Sequence, residues 1–417
     1  MAIGVGLTGP RGGSGGGGGT CTSRAWVRNP DWLDLPSTSD GDDVIYILSQ
    51  VYGDDRPNFM SVYATVSSGN YTVDLYNDGT TVTNHSSAAQ ADFDLDYSKG
   101  TGEVSEFGYK QVITKITPET GTLTGFDMYR THADANGGFL QPTLSVKITS
   151  QTITSLNNCF RGTTSKSFHK SLEEFEWVGT CNVTTATYAF YNCDEFCKIK
   201  GNFEDITNWQ QMFGLAGDID ISELQTPTSG ITTSTQALKS SRIRTITGTA
   251  AENLFKGVKY PLSILESCSS LITVGTSANP TRWDSIDNAS GFSQAFQSCT
   301  NLKQAYFREA STAPLSIYRM FRNDYVLGRV ETIDGSGVTN TTGAFQDCRS
   351  LEWLRITGLT VSFDLTNCNM SREALVQVFN DLGTASATIT ITNNPGVGDL
   401  TAADLLIATN KGWTVTT

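Results

Sequence analysis

Gly343-Ala344-Phe345-Gln346-Asp347-Cys348-Arg349-Ser350-Leu351-Glu352-Trp353-Leu354 decides how the C-terminal half of the chain is read. Phe345, Cys348, Leu351 and Leu354 follow one another at intervals of three. The same spacing recurs as Phe190/Cys193/Phe196/Ile199, Leu265/Cys268/Leu271/Val274, Phe296/Cys299/Leu302/Ala305 and Phe321/Asp324/Leu327/Val330. Weaker copies begin at Phe160, Phe213 and Leu238. The lead residues stand 23 to 31 positions apart, near the length of one coil in a leucine-rich solenoid.

A phenylalanine and a cysteine three apart share one face of a helical turn, and the apolar residues that follow point inward from a short strand. One coil cannot bury that face alone, so only a stack is stable. The spacing therefore predicts a core row of Phe190, Leu265, Phe296, Phe321 and Phe345, a second row of Cys193, Cys268, Cys299 and Cys348, and a third with Leu302, Leu327 and Leu351. The cysteine position, enclosed by neighbouring coils, calls for a small residue with little hydrogen-bonding demand. Asp324 breaks that pattern and is expected where the stack loosens or where a backbone donor reaches it.

Working outward toward the N-terminus, the signals from Arg24 to about Thr149 are those of strands. Tyr71 to Tyr76 alternates and meets the turn Asn77-Asp78-Gly79; Phe93, Leu95 and Tyr97 alternate with Asp92, Asp94 and Asp96; Tyr109 to Thr117 and Thr143 to Ile148 add two more. Short strands with turn punctuation argue for a β-sandwich. Toward the C-terminus, Ser371 caps a helix with Leu375, Val378, Phe379 and Leu382 on one face, ended by Gly383. Thr388 to Thr392 reads as a strand, Thr401 and Asp404 as a capping box, and Trp413 to Val415 as a last strand. The expected organisation is a glycine-rich attachment segment (1–23), a β-sandwich (24–150), an irregular leucine-rich-repeat solenoid (151–365) and a small α/β cap (366–417). The fold class is mixed and β-rich.

Composition narrows the function. Charged residues are only 17% of the chain, so its polar surface is mostly hydroxyls and amides, which suit long β surfaces. The net charge of −13, with no Lys/Arg run, argues against a nucleic-acid partner. No apolar stretch is long enough for a membrane span, and Met1 to Gly19 lacks the apolar centre of a secretory signal. The nine cysteines contain no zinc spacing and read as buried reduced thiols.

Catalytic and metal motifs are weak. Asp92, Asp94, Asp96 and Glu103 fall at calcium-loop positions, but Tyr97 stands where the loop needs glycine, so the stretch reads as a strand with outward carboxylates. His85, His132 and His169 have no neighbouring nucleophile or second ligand in sequence. Glu173/Glu174 is a carboxylate pair of a kind common on solvated faces, and only a measured separation would give it meaning for glycoside hydrolysis. No catalytic residue, cofactor or metal is expected, and the chain is read as a non-enzyme. Trp177, Trp209, Trp283 and Trp353 read as packing residues, with an exposed subset able to serve a receptor interface.

Residues 337–351, Gly337-Val338-Thr339-Asn340-Thr341-Thr342 and the stretch quoted above, resemble one repeat of the BspA-like leucine-rich surface proteins, and Ser290 to Leu302 is similar. Arg24-Ala25-Trp26-Val27-Arg28-Asn29-Pro30-Asp31-Trp32-Leu33 and Gly108-Tyr109-Lys110-Gln111-Val112 resemble the N-terminal domain of tailed-phage fibre-like proteins, in which such repeats follow. Leu400 to Val415 looks like their usual ending. Leu75-Tyr76-Asn77-Asp78-Gly79 departs from the tryptophan and Gly-Asp-Gly turn common in that domain. The resemblance implies a bacteriophage virion structural protein, a tail fibre, spike or appendage. Its implied partners are other virion proteins, copies of itself, and a glycan or protein receptor on the host surface. Three alternatives stay open: a capsid or vertex decoration protein without a receptor, a bacterial BspA-like adhesin, and a tailspike enzyme that cleaves host polysaccharide. The lack of a signal sequence favours assembly inside a host and location on the virion.

Overall fold

The computed structural model describes residues 26–105, 107–134, 141–162, 171–220, 230–247, 257–283, 291–308 and 313–417. The glycine-rich attachment segment, Arg24, Ala25, Cys21, His169 and Ser290 lie outside them. The chain is β-rich, with two α-helices among the described residues and a β-solenoid of about nine turns.

The N-terminal strands are β1 (Val44–Tyr52), β2 (Phe59–Asp74), β3 (Val82–Ser86), β4 (Gln90–Asp94), β5 (Tyr109–Asp127) and β6 (Thr143–Thr149). They run antiparallel in the order β3-β2-β5-β1-β6, with β4 also paired to β2. The turn at Asn77–Gly79 forms as expected: Asn77 and Gly79 adopt φ of 51° and 71°, and the Asp74 carboxylate accepts from the Asp78 and Gly79 N–H groups. These strands belong to one hydrogen-bonded sheet, whose long β2 and β5 shift register three times, and the expected pair of facing sheets is not confirmed. Every residue of β1 is buried. Ile45, Ile47 and Val51 enter the main core, whereas Leu48 and Tyr52 pack under Trp26, Trp32, Leu33 and Leu35. The segment that opens the domain thus helps cover the second face. Alternation in a sequence marks a buried face and leaves open what buries it.

The sheet continues past β6. Strand β6 pairs in parallel with β7 (Glu174–Trp177), and β7 with β8 (Lys198–Lys200). Further coils contribute β9 (Thr245–Ile246), β10 (Thr273–Val274), β11 (Gln304–Tyr306), β12 (Arg329–Asp334) and β13 (Trp353–Thr357), a parallel sheet in sequential order. The cap stacks β14 (Phe363–Asp364), α1 (Arg372–Asp381), β15 (Ala387–Thr390), α2 (Ala402–Thr409) and β16 (Trp413–Thr416), its three strands parallel. Ser371 caps α1 by accepting from the Ala374 N–H, and Thr401 with Asp404 forms the expected capping box on α2.

The segment around each lead residue is not an α-helical turn, and the helical reading is corrected here. From Phe190 to Phe345, residues two before and two after the lead are left-handed: Tyr188 and Asn192 around Phe190 (φ 56° and 60°), Gln294 and Ser298 around Phe296 (56° and 63°). Alternate peptide groups therefore point along the solenoid axis. The N–H groups of Tyr188, Phe190 and Asn192 donate to the Gln210, Met212 and Gly214 carbonyls of the next coil at 3.0, 2.9 and 2.8 Å. Those of Gln294, Phe296 and Ser298 reach Tyr318, Met320 and Arg322 in the same way. The intervening groups close local turns, such as the Cys193 N–H on the Phe190 carbonyl at 3.3 Å. Backbone groups buried between coils are thus satisfied by this ladder.

Inside the coils the expected rows form. Phe190, Leu265, Phe296, Phe321, Phe345, Leu302, Leu327 and Leu351 are all buried. Phe160, Phe190 and Phe213 stack at 5.4 and 5.6 Å between ring centres, and Phe296, Phe321 and Phe345 at 5.2 and 5.5 Å. Leu238 and Leu265 interrupt the column between Phe213 and Phe296. Beside it, the thiols of Cys193, Cys268, Cys299 and Cys348 donate to the lead carbonyls one coil back, Phe160, Leu238, Leu265 and Phe321, at 3.0 to 3.1 Å. All eight described cysteines are free. Asp324 lies in the same row with no solvent exposure, and the phenylalanine column passes it unbroken, so the expectation of a loosened stack is corrected.

Candidate interaction surface on the solenoid

The left-handed ladder that buries the lead residues also fixes which side chains face out. Two offsets from the lead, −2 and +1, carry long half-buried side chains in several coils along the outer side of the turn segments. They include Tyr188 and Tyr191, Gln236 and Lys239, and Gln294 and Gln297. Neighbouring coils join through this row. The Gln211 amide donates to Gln236 at 2.6 Å, and Lys239 pairs with Glu266 at 3.0 Å. Each pair spans one coil, so amides and paired charges link neighbouring turns along this outer strip.

At the N-terminal end the strip becomes aromatic. The Arg161 guanidinium lies 4.2 Å over the Tyr188 ring and 5.8 Å from each of Tyr191 and Tyr129. Tyr188 and Tyr191 meet edge to face at 5.4 Å. Flat rings beside a cation and amides can stack on sugar faces and hydrogen-bond to hydroxyls and carboxylates. Sequence reasoning did not single out this group. The available signal was the fixed offset of Tyr188, Tyr191 and Arg161 from the leads Phe190 and Phe160.

No protein-family model matches the chain, and no curated protein matches it significantly. The family likenesses therefore rest on the quoted motifs alone.

The other candidates fall in separate places. Glu173 and Glu174 lie where the opening segment crosses the first coil. The Trp26 indole N–H donates to Glu173 at 3.4 Å, and burial pushes the Glu173 carboxyl up to about 7. Glu174 accepts from Arg28 at 3.4 Å and from the Ser145 hydroxyl at 3.2 Å, and it pairs with Lys200. The pair thus clamps residues 26–28 onto the solenoid. Asp92 accepts from Ser61 and from the Ala133 N–H, and Asp96 caps a short 3-10 turn at Tyr97–Lys99. Among the described residues no group of three or more His, Cys, Asp or Glu side chains could hold a metal ion, and no helix is long and apolar enough to cross a membrane. His85 packs between Tyr71 and Phe93, and burial lowers its pKa. His132 stacks on Phe59 at 4.2 Å. Trp177, Trp209 and Trp283 are buried, while Trp353 is half-exposed with Arg329 over its ring at 5.2 Å.

Proposed function

We propose that the chain is a non-enzymatic bacteriophage virion protein, a fibre, spike or appendage built from BspA-like leucine-rich repeats. In this reading it binds the host surface through its solenoid. The observation that supports the reading best is the continuity of the β6-β7-β8 ladder from the N-terminal sheet into the first coils. Continuous pairing transmits force and orientation without a hinge, as an appendage needs. The outer strip of rings and amides offers a repeated contact of the kind that gains strength when copies are displayed together. A glycine-rich segment at one end is suited to become ordered against a particle or sister subunits.

Mass spectrometry of purified particles tests the assignment directly. Peptides from this chain should be present at a defined stoichiometry, and their absence would remove the virion reading. Display of the protein on beads should then give far tighter adsorption to host cells than the monomer. Present but adsorption-neutral protein would make it decoration.

A further inference from the structure

In four coils one solenoid position holds a cysteine whose thiol donates to a lead carbonyl one coil back, as described for Cys193, Cys268, Cys299 and Cys348. Those of Leu238, Leu265 and Phe321 accept twice. Leu265 takes the Cys268 N–H at 3.2 Å and the Cys299 thiol at 3.1 Å; Phe321 takes the Asp324 N–H at 3.2 Å and the Cys348 thiol at 3.0 Å. Phe296 accepts the Cys299 N–H at 3.2 Å, and by register its second lone pair falls to Asp324. Asp324 is fully buried, and neither of its oxygens accepts a hydrogen bond. An ionised carboxylate in that setting has only the nearby Cys299 N–H to set against the cost of buried charge.

We propose that Asp324 is a neutral carboxylic acid whose O–H replaces the thiol S–H and donates to the Phe296 carbonyl, and that this proton makes the middle of the solenoid sensitive to pH. The groups facing it are the Cys299 thiol of the coil before and the Cys348 thiol of the coil after. Arg322, on its own coil, occupies the outward +1 position, and no cation is among the groups that act on Asp324. Burial drives the Asp324 carboxyl well above the usual carboxylate range; the Cys299 N–H opposes this and is the smaller effect. That N–H is already committed to the Phe296 carbonyl. The inference does not depend on the virion reading.

The sign follows from linkage. An acid whose pKa is higher folded than unfolded stabilises the fold fully below the unfolded value, about 3.9 for aspartate. That contribution declines as pH rises and is lost by the folded value. Between the two, the folded state holds one more proton, so the folding constant falls about tenfold per pH unit on this account.

The full chain is compared with Asp324→Asn and Asp324→Cys, the latter being the residue four other coils use. Chemical denaturation across neutral pH should give a wild-type slope steeper by about tenfold per pH unit than either variant. Infrared spectra at about pH 8.5 should show a carboxylic-acid carbonyl band in the wild type that both variants lack. Glu173 and Asp127, raised by burial to about 7 and about 6, are mostly ionised there. Parallel slopes and no acid band would mean that Asp324 is charged, and the proposal would fail. If neither variant folds, the wild-type band alone decides.

Discussion

Val146, in the last strand of the antiparallel sheet, and Phe175, in the first strand of the solenoid, are register partners in one parallel ladder, and neither has any solvent exposure. Elements joined in this way open together, because neither can expose its edge without breaking the ladder. Amide exchange at Val146, Phe175 and Ile199 should therefore report one common opening free energy. Much faster exchange at Phe175 than at Val146 would show that the boundary behaves as a hinge.

Phe345 ties two columns, stacking on Phe321 at 5.5 Å and meeting Phe363 of the cap at 5.6 Å. Phe345→Ala should cost roughly 3–5 kcal/mol in denaturant titrations. A loss below ~1 kcal/mol would place the ring outside the core.

Burial pushes the thiols of Cys193, Cys299 and Cys348 well above the ordinary cysteine range. The thiolate is the reactive form, so native protein should resist alkylation at these three positions. Denaturation without reductant should then release them in full. Rapid labelling of the native chain, or missing thiols after denaturation, would contradict the packing described.

Ser267 is left-handed at φ 63° and half-buried, two residues after the lead Leu265. Asparagine tolerates this conformation and a β-branched residue does not. Ser267→Val should be less stable than Ser267→Asn by about 1–2 kcal/mol. Equal stabilities would argue against the alternating backbone.

The capping box on α2 makes an acid-sensitive cap. The Arg372 guanidinium, with Thr401, holds the Asp404 carboxyl down to about 2. A depressed carboxyl stabilises the fold above its unfolded value, about 3.9, and that contribution disappears as pH falls toward 2. Asp404→Asn should lose the extra acid sensitivity between those values, read as melting temperature against pH. Thr401→Ala should cost about 0.5–2 kcal/mol at neutral pH.

The coil period, the core rows and the cap were legible because each depends on side-chain type at fixed spacing. Phe345, Cys348 and Leu351 must be apolar to be enclosed, and Thr401 with Asp404 is a local signature. The backbone between them was not legible. An interval of three suits both a helical turn and the left-handed alternation found here, and Tyr188, Gln211 and Arg319 do not advertise a positive φ as glycine would. The aromatic end of the outer strip stayed hidden for a related reason. Tyr129, Arg161 and Tyr188 come from separate parts of the chain, and only stacking brings them together. The second face of β1 was missed because its cover, Trp26 to Leu35, carries no strand pattern.

Around the lead residues the ladder has a direction, each turn segment giving N–H groups to the coil after it, whereas beside the strands N–H groups run back, as from Cys197 to Glu173 and from Gly328 to Lys303. Coils built this way present the same alternation of donors and acceptors at both junctions. A gene duplication that inserts one whole coil leaves both flanking junctions chemically unchanged and lengthens the molecule by one step. An insertion of half a coil would set a turn segment against a strand. Length can then vary among descendants in whole increments while both ends keep their chemistry.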